Sequence, residues 1–140
     1  MNGARFFLDT NVFLYAFDET RPEHARRAQA LIESGLKTGL GVVSYQVMQE
    51  FCNVALKVIR PLRAPDLDAY LDHTFARLEL AAASLPLLHR ALRLNERNRV
   101  SWYNALIVAA AQAANCRVLY SEDLQHGQQF DQVRVENPFL

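Results

Sequence analysis

Two aspartates stand in the same kind of place. Phe6-Phe7-Leu8 runs straight into Asp9, and Arg117-Val118-Leu119-Tyr120 runs into Ser121-Glu122-Asp123. Each short apolar run reads as a buried strand. Each carboxylate then sits at the C-terminal end of its strand, the edge where open α/β sheets bind ligands. Glu50 is a third candidate. Val47, Phe51, Val54 and Val58 recur at helical spacing, and Glu50 falls on that stripe. A carboxylate there is unfavourable unless paired, metal-bound or protonated. Asn104 is the fourth, in the first turn of a helix capped by Ser101, where the helix N-terminus favours an anion. Each position also has a plain structural role open to it. Asp9 is a good helix cap, and Glu50 can reach solvent or an arginine from the rim of its stripe. What raises the chemical reading is the recurrence of polar positions at one edge.

Several carboxylates with no histidine or cysteine among them form a hard, oxygen-donor set, suited to Mg²⁺ or Mn²⁺ and not to zinc. Such an ion orients a phosphodiester, stabilises its transition-state charge and lowers the pKa of an attacking water. Other phosphate chemistries fit less well. The five glycines never take the Walker spacing. The haloacid-dehalogenase phosphatases carry a second aspartate two residues after their nucleophile, where this chain has Asn11. A receiver domain would have an acidic pair after its first strand and a late lysine. His24, His73, His89 and His126 are scattered without a cysteine pair.

The elements that must position these residues alternate between strands and helices. After the first strand a short helix is predicted over 12–17. A second begins at Thr20-Arg21-Pro22-Glu23, buries Ala25, Ala28, Leu31 and Ile32, and stops near Gly35. Residues 39–44 read as a strand ending in Ser44, the cap of a helix over 45–59. Residues 66–78 form an amphipathic helix with Leu67, Tyr70, Leu71, Thr74, Phe75 and Leu78 inward. Residues 79–83 are compatible with a short edge strand. Ser84 and Pro86 open a helix with Leu87, Leu88, Ala91 and Leu92 inward. The helix over 102–114 is apolar nearly all round, hence central. Gly127 reads as a turn, and Val133-Arg134-Val135 as a last strand. The pattern predicts an α/β fold, a mostly parallel sheet with helices on both faces. Right-handed crossovers gather the C-terminal strand ends at one edge.

At 140 residues and half hydrophobic, the chain predicts one globular domain spanning 1–140. The 15 basic and 15 acidic residues cancel, so nothing points to nonspecific polyanion binding, although an acidic metal site offsets a basic surface in such a sum. Cys52 and Cys116 read as buried apolar residues of a reducing compartment. Neither a signal peptide nor a membrane-spanning run is seen, so a cytoplasmic location is expected.

Leu8-Asp9-Thr10-Asn11-Val12, Glu50, Ser101-Trp102-Tyr103-Asn104-Ala105-Leu106-Ile107 and Ser121-Glu122-Asp123-Leu124 together resemble the PIN-domain nucleases. Within them the chain is most similar to the VapC toxins of bacterial toxin–antitoxin pairs. The resemblance covers essentially the whole chain and implies a PIN-like three-layer α/β/α sandwich with a roughly five-stranded, mostly parallel sheet. It implies Mg²⁺ or Mn²⁺ at Asp9, Glu50, Asn104 and Asp123, cleavage of RNA, a homodimer, and a cognate antitoxin whose tail blocks the site. Where the family usually has Asp, this chain has Asn104, which keeps an oxygen ligand and gives up the charge. Two other functions are therefore carried along: a catalytically silent binder of antitoxin or RNA, and a DNA-directed nuclease of the same fold, since nothing here reads a 2′-hydroxyl. Thr10, Ser101 and Ser121 are candidates for orienting the carboxylates, and Glu122 is a spare ligand expected to face away from Asp123. Positive charge for RNA concentrates from Arg90 to Arg99, with Lys57, Arg60 and Arg63 as additions.

Overall fold

The computed structural model describes residues 3–59 and 62–140. The elements in order are β1 (Arg5–Leu8), α1 (Thr10–Tyr15), α2 (Pro22–Thr38), β2 (Gly41–Ser44), α3 (Tyr45–Val58), α4 (Ala64–His73), β3 (Glu79–Ala81), α5 (Leu85–Asn98), α6 (Trp102–Ala113), β4 (Cys116–Tyr120), β5 (Gln129–Phe130) and β6 (Val133–Glu136). The sheet order is β3-β2-β1-β4-β6-β5. The first five strands in that order are parallel, and the two-residue β5 runs antiparallel to β6. The expected parallel, five-stranded sheet is therefore present, with β5 added as a short hairpin arm at one edge. The short edge strand foreseen after residue 78 is β3, and Gly127 turns with φ 86°.

β1 lies inside the sheet between β2 and β4, and after Arg5 its residues are all apolar. Phe7 and Leu8 are fully buried, as are Val42 and Val43 of β2 and Leu119 of β4. Parallel strands covered on both faces read as such continuous apolar runs. On one side an aromatic cluster locks α1, α3 and α4 together. Phe13 lies 4.7 Å from Phe75, and Phe51 packs on both Phe13 and Tyr70. Phe51 directly follows Glu50, so this packing also fixes where Glu50 stands. On the other side α6 is buried along Ala105, Ile107, Val108, Ala109, Ala110 and Ala111, as its sequence required.

Four elements depart from the expected pattern. α2 does not stop near Gly35 but continues to Thr38 and ends at Gly39, which takes a left-handed φ of 72°. Gly35 has a different use. A methyl group on Gly41 would come within 2.7 Å of the Gly35 Cα, so the glycine pair lets α2 cross β2 in backbone contact. The helix expected over 66–78 breaks after His73 and passes through a 3-10 turn, Phe75–Arg77, which still buries Phe75 and Leu78. In α3 the buried stripe is Val47, Phe51 and Ala55. Val58 is exposed because the last turn runs past the core. In α5 only Ala91 is buried. α5 packs on α6 through Ala91, Ala105 and Ala109, so the inward face is narrow and Leu88 and Leu92 are left at the surface. Cys52 and Cys116 are free thiols, the latter buried. Among the described residues no helix is long and apolar enough to cross a membrane.

Candidate active site

Asp9 follows β1 in extended geometry and caps α1. Its backbone N–H donates to the Tyr120 carbonyl at 3.1 Å, continuing the β1–β4 ladder and drawing Ser121 alongside. One carboxylate oxygen, Oδ1, accepts from the Thr10 N–H at 2.7 Å. The other, Oδ2, accepts from the Ser121 hydroxyl at 2.7 Å. Ser121 is fully buried, and its Oγ also accepts from the Asp123 N–H at 3.1 Å. A single serine thus aligns two of the acidic positions.

Glu50 reaches the same place from α3. The Thr10 hydroxyl donates to Glu50 Oε1 at 2.7 Å. Gln46, one helical turn earlier, donates to Glu50 Oε2 at 3.3 Å and to the Tyr103 carbonyl at 3.2 Å. This amide ties the first turn of α3 to the first turn of α6, beside Asn104. Asn104 is half-buried, and its backbone N–H donates to the capping Ser101 hydroxyl. Asp123 is exposed and accepts from the Asn11 amide at 3.3 Å. Asn11 in turn accepts from the Glu122 N–H at 3.4 Å.

The electrostatics follow from this crowding. Asp9 is only 2% exposed, and burial pushes its carboxyl up from 3.8 to about 6. The hydrogen bonds from Ser121 and Thr10 pull it down, while the charges of Asp123 and Glu50 push it further up. Asp9, Glu50 and Asp123 therefore share one negative field. Among the described residues no three His, Cys, Asp or Glu side chains are yet drawn together closely enough to ligate one ion. The donor chemistry nonetheless fits a hard cation. Every candidate donor is an oxygen, and a carboxyl raised by burial, with Asp123 and Glu50 adding to the rise, is one that a divalent ion would return to the ionised form. Glu50 and Asp123 are half-buried and exposed, with side-chain torsions available to close on an ion.

Of the three candidate hydroxyls, Thr10 and Ser121 bond carboxylates and Ser101 serves as a helix cap. Glu122 turns away from Asp123 and accepts from the Tyr15 hydroxyl at 2.8 Å. Gln46 escaped the sequence reading. Its signal is its position four residues before Glu50, on the same helical face.

One groove borders the site and a second lies away from it. The first, of about 640 Å³, begins at Asn11 and Glu122 and runs over Leu14, Phe17, Val54 and Val58, with Asp18 and Glu19 at its rim. The other is basic. Arg90, Arg93 and Arg97 line it together with Gln112 and Asp131. Asn104 and Gln112 lie eight residues apart on α6, about 12 Å along the axis. Arg99 ends α5 in a left-handed conformation. Lys57 lies in the last turn of α3 and Arg63 at the N-cap of α4, neither of them in this groove, and Arg60 lies outside the described residues.

The sequence matches the family model of the PIN domain over residues 6–134. No curated protein matches it. Among solved structures, a toxin–antitoxin complex from Klebsiella pneumoniae superposes with a TM-score of 0.68 at 16% identity, covering 94% of this chain and 96% of that one. VapC20 of Mycobacterium tuberculosis, a sarcin-ricin-loop-cleaving toxin, gives 0.65 at 17%, covering 84% and 89%. DNA-bound VapBC from Salmonella typhimurium gives 0.65 at 21%, covering 96% and 98%. At these identities the likeness is one of fold.

Proposed function

Because the chain belongs to the PIN-domain family, we propose that it is a Mg²⁺- or Mn²⁺-dependent endoribonuclease acting in the cytoplasm as the toxin of a toxin–antitoxin pair. The observation that carries this reading is the convergence of Asp9, Glu50 and Asp123 at the C-terminal edge of the sheet, where Thr10 joins Asp9 to Glu50 and Ser121 joins Asp9 to Asp123. A divalent ion would be held by these three carboxylates with the Asn104 amide oxygen beside them; when bound it supplies charge stabilisation to a phosphodiester and acidity to water. The protein's own work is positional. Ser121 and the Thr10 N–H hold Asp9 in a single orientation, Thr10 and Gln46 hold Glu50, and Asn11 holds Asp123. Asp9 is thus held in place before an ion arrives, while Glu50 and Asp123 would close on it.

The apolar groove running from Asn11 to Val58 is assigned to the antitoxin. Its apolar floor and its acidic rim of Asp18, Glu19 and Glu122 suit an amphipathic helix carrying basic residues. A homodimer is assigned as the working assembly. The lost charge at Asn104 favours a second reading, a silent member that binds antitoxin or RNA without cutting it. The two are separated by sequencing RNA ends from cells expressing the Asn104→Asp form, with the Asp9→Ala, Asn104→Asp double variant beside it and purified DNA and RNA digested in parallel. New RNA ends that require Asp9 support the ribonuclease. RNA bound and left intact by both forms supports the silent binder, and cutting of DNA alone supports the DNA-directed nuclease.

A further inference from the structure

The chain has no net charge, yet its charges are segregated. Asp9, Glu50, Glu122 and Asp123 lie beyond the C-terminal ends of the strands. Near the opposite edge two grooves adjoin. The first holds Arg90, Arg93 and Arg97, and the second holds Arg5, Arg90 and Arg117, with Arg90 and Gln112 common to both. Gln112 is 4% exposed. It accepts from Arg90 at 3.3 Å and donates to the Phe130 carbonyl and to Asp131, so a buried amide holds Arg90 at the junction. Against the five arginines stand Asp131, Glu96 on α5 itself, and Glu79, the last paired with Arg5 at 2.9 Å. Among the described residues Arg90, Arg93, Arg97 and Arg117 have no carboxylate partner within ion-pair distance. Unpaired guanidinium groups gathered in grooves fit phosphate oxygens, which they grip in bidentate fashion.

We propose that these two grooves form a second RNA-binding surface, separate from the carboxylates, that takes backbone phosphates of the substrate away from the bond being cut. This rests on the ribonuclease reading. Arg5 opens β1 and Asp9 follows its end, a span of about 13 Å at strand rise. RNA that fills both regions therefore spans at least about 13 Å and wraps the α5–α6 face.

The test is binding of fluorescently labelled bulk transfer RNA by anisotropy, in EDTA so that nothing is cut, over a range of salt. Arg93, Arg97 and Arg117 are exposed, so the triple variant Arg93→Glu, Arg97→Glu, Arg117→Glu leaves the core untouched, and a thermal melt confirms that it is folded. Three phosphate contacts at ~0.7 each flatten the slope of log affinity against log salt by about 2, and weaken binding about a hundredfold at 0.1 M salt. A control with Arg26→Glu and Lys37→Glu on α2 keeps both affinity and slope. Equal losses in the two variants would mean bulk charge and overturn the proposal. Unchanged transfer-RNA affinity in the triple variant would also overturn it while leaving the ribonuclease reading intact; loss of polyglutamate binding alone would then identify an acidic protein as the occupant. Failure of every form to bind RNA at low salt would remove both.

Discussion

Replacing Asp9 by Asn is expected to stabilise the metal-free protein at neutral pH. In the unfolded chain this carboxyl titrates near 3.8, and in the fold near 6. Below the lower value both states are protonated and Asp9 adds no pH-dependent term. As pH rises from there to about 6 the unfolded chain releases its proton while the folded carboxyl retains it, so stability falls. Above about 6 both are ionised and the full penalty, ~3 kcal/mol, persists. Asn keeps the acceptor for the Thr10 N–H, and its amide can donate to Ser121 Oγ, whose hydroxyl then turns to Asp123. Burying the neutral amide offsets part of the gain, so the net stabilisation at pH 8 is expected to be ~1–2 kcal/mol, a rise of roughly 3–6 °C in melting temperature. The assay is urea and thermal unfolding of the parent and Asp9→Asn in EDTA from pH 5 to pH 8, taking the difference so that surface groups cancel. That difference should grow with pH and level off above 6, and Mn²⁺ should raise the melting temperature of the parent alone. A variant no more stable than the parent at pH 8, with a difference that does not vary with pH, would refute the reasoning.

Other perturbations follow from the same contacts. Asn104→Asp restores a unit charge beside the carboxylates, and calorimetry should show at least ~tenfold tighter Mn²⁺ binding, equivalent to ~1.4 kcal/mol, with slightly lower metal-free stability from added repulsion. Ser121→Ala removes the hydroxyl that serves both Asp9 and Asp123. It should destabilise by ~1–3 kcal/mol and, because that hydrogen bond lowers the Asp9 carboxyl, move the pH at which stability is lost upward. Gly41→Ala places a methyl against the Gly35 backbone at 2.7 Å; urea unfolding should show a loss of ~1–3 kcal/mol, with RNA and metal binding retained in the folded fraction.

The elements that carry the candidate site are legible where the signal is local. Phe6-Phe7-Leu8 before Asp9 and Val118-Leu119-Tyr120 before Ser121 announce buried strands, and strand ends are where polar residues can remain without a partner strand. Glu50 was legible because a carboxylate interrupts an apolar stripe. What could not be read depends on contacts between distant segments. Gly35 resembles a helix stop, and only the approach of Gly41 reveals that α2 needs a bare surface there. Leu88 and Leu92 look inward by periodicity, but α5 rests on a single helix through Ala91, so the buried face is one residue wide. Gln46 is an ordinary polar helix residue until α6 arrives with the Tyr103 carbonyl. The hydroxyl roles divided in the same way: Ser101 met its acceptor within its own helix, whereas Thr10 and Ser121 met carboxylates brought from elsewhere.

Cleavage of one RNA by the Asn104→Asp form across a Mn²⁺ titration, with the Asp9→Asn, Asn104→Asp double variant in parallel, tests the carboxylate centre most directly. The expected result is cleavage that saturates with Mn²⁺, runs at least ~tenfold faster than in the parent chain, and disappears in the double variant although that protein remains folded. Cleavage that is independent of Mn²⁺, or equally fast with Asn at position 9, would contradict a metal centre built on Asp9, Glu50 and Asp123.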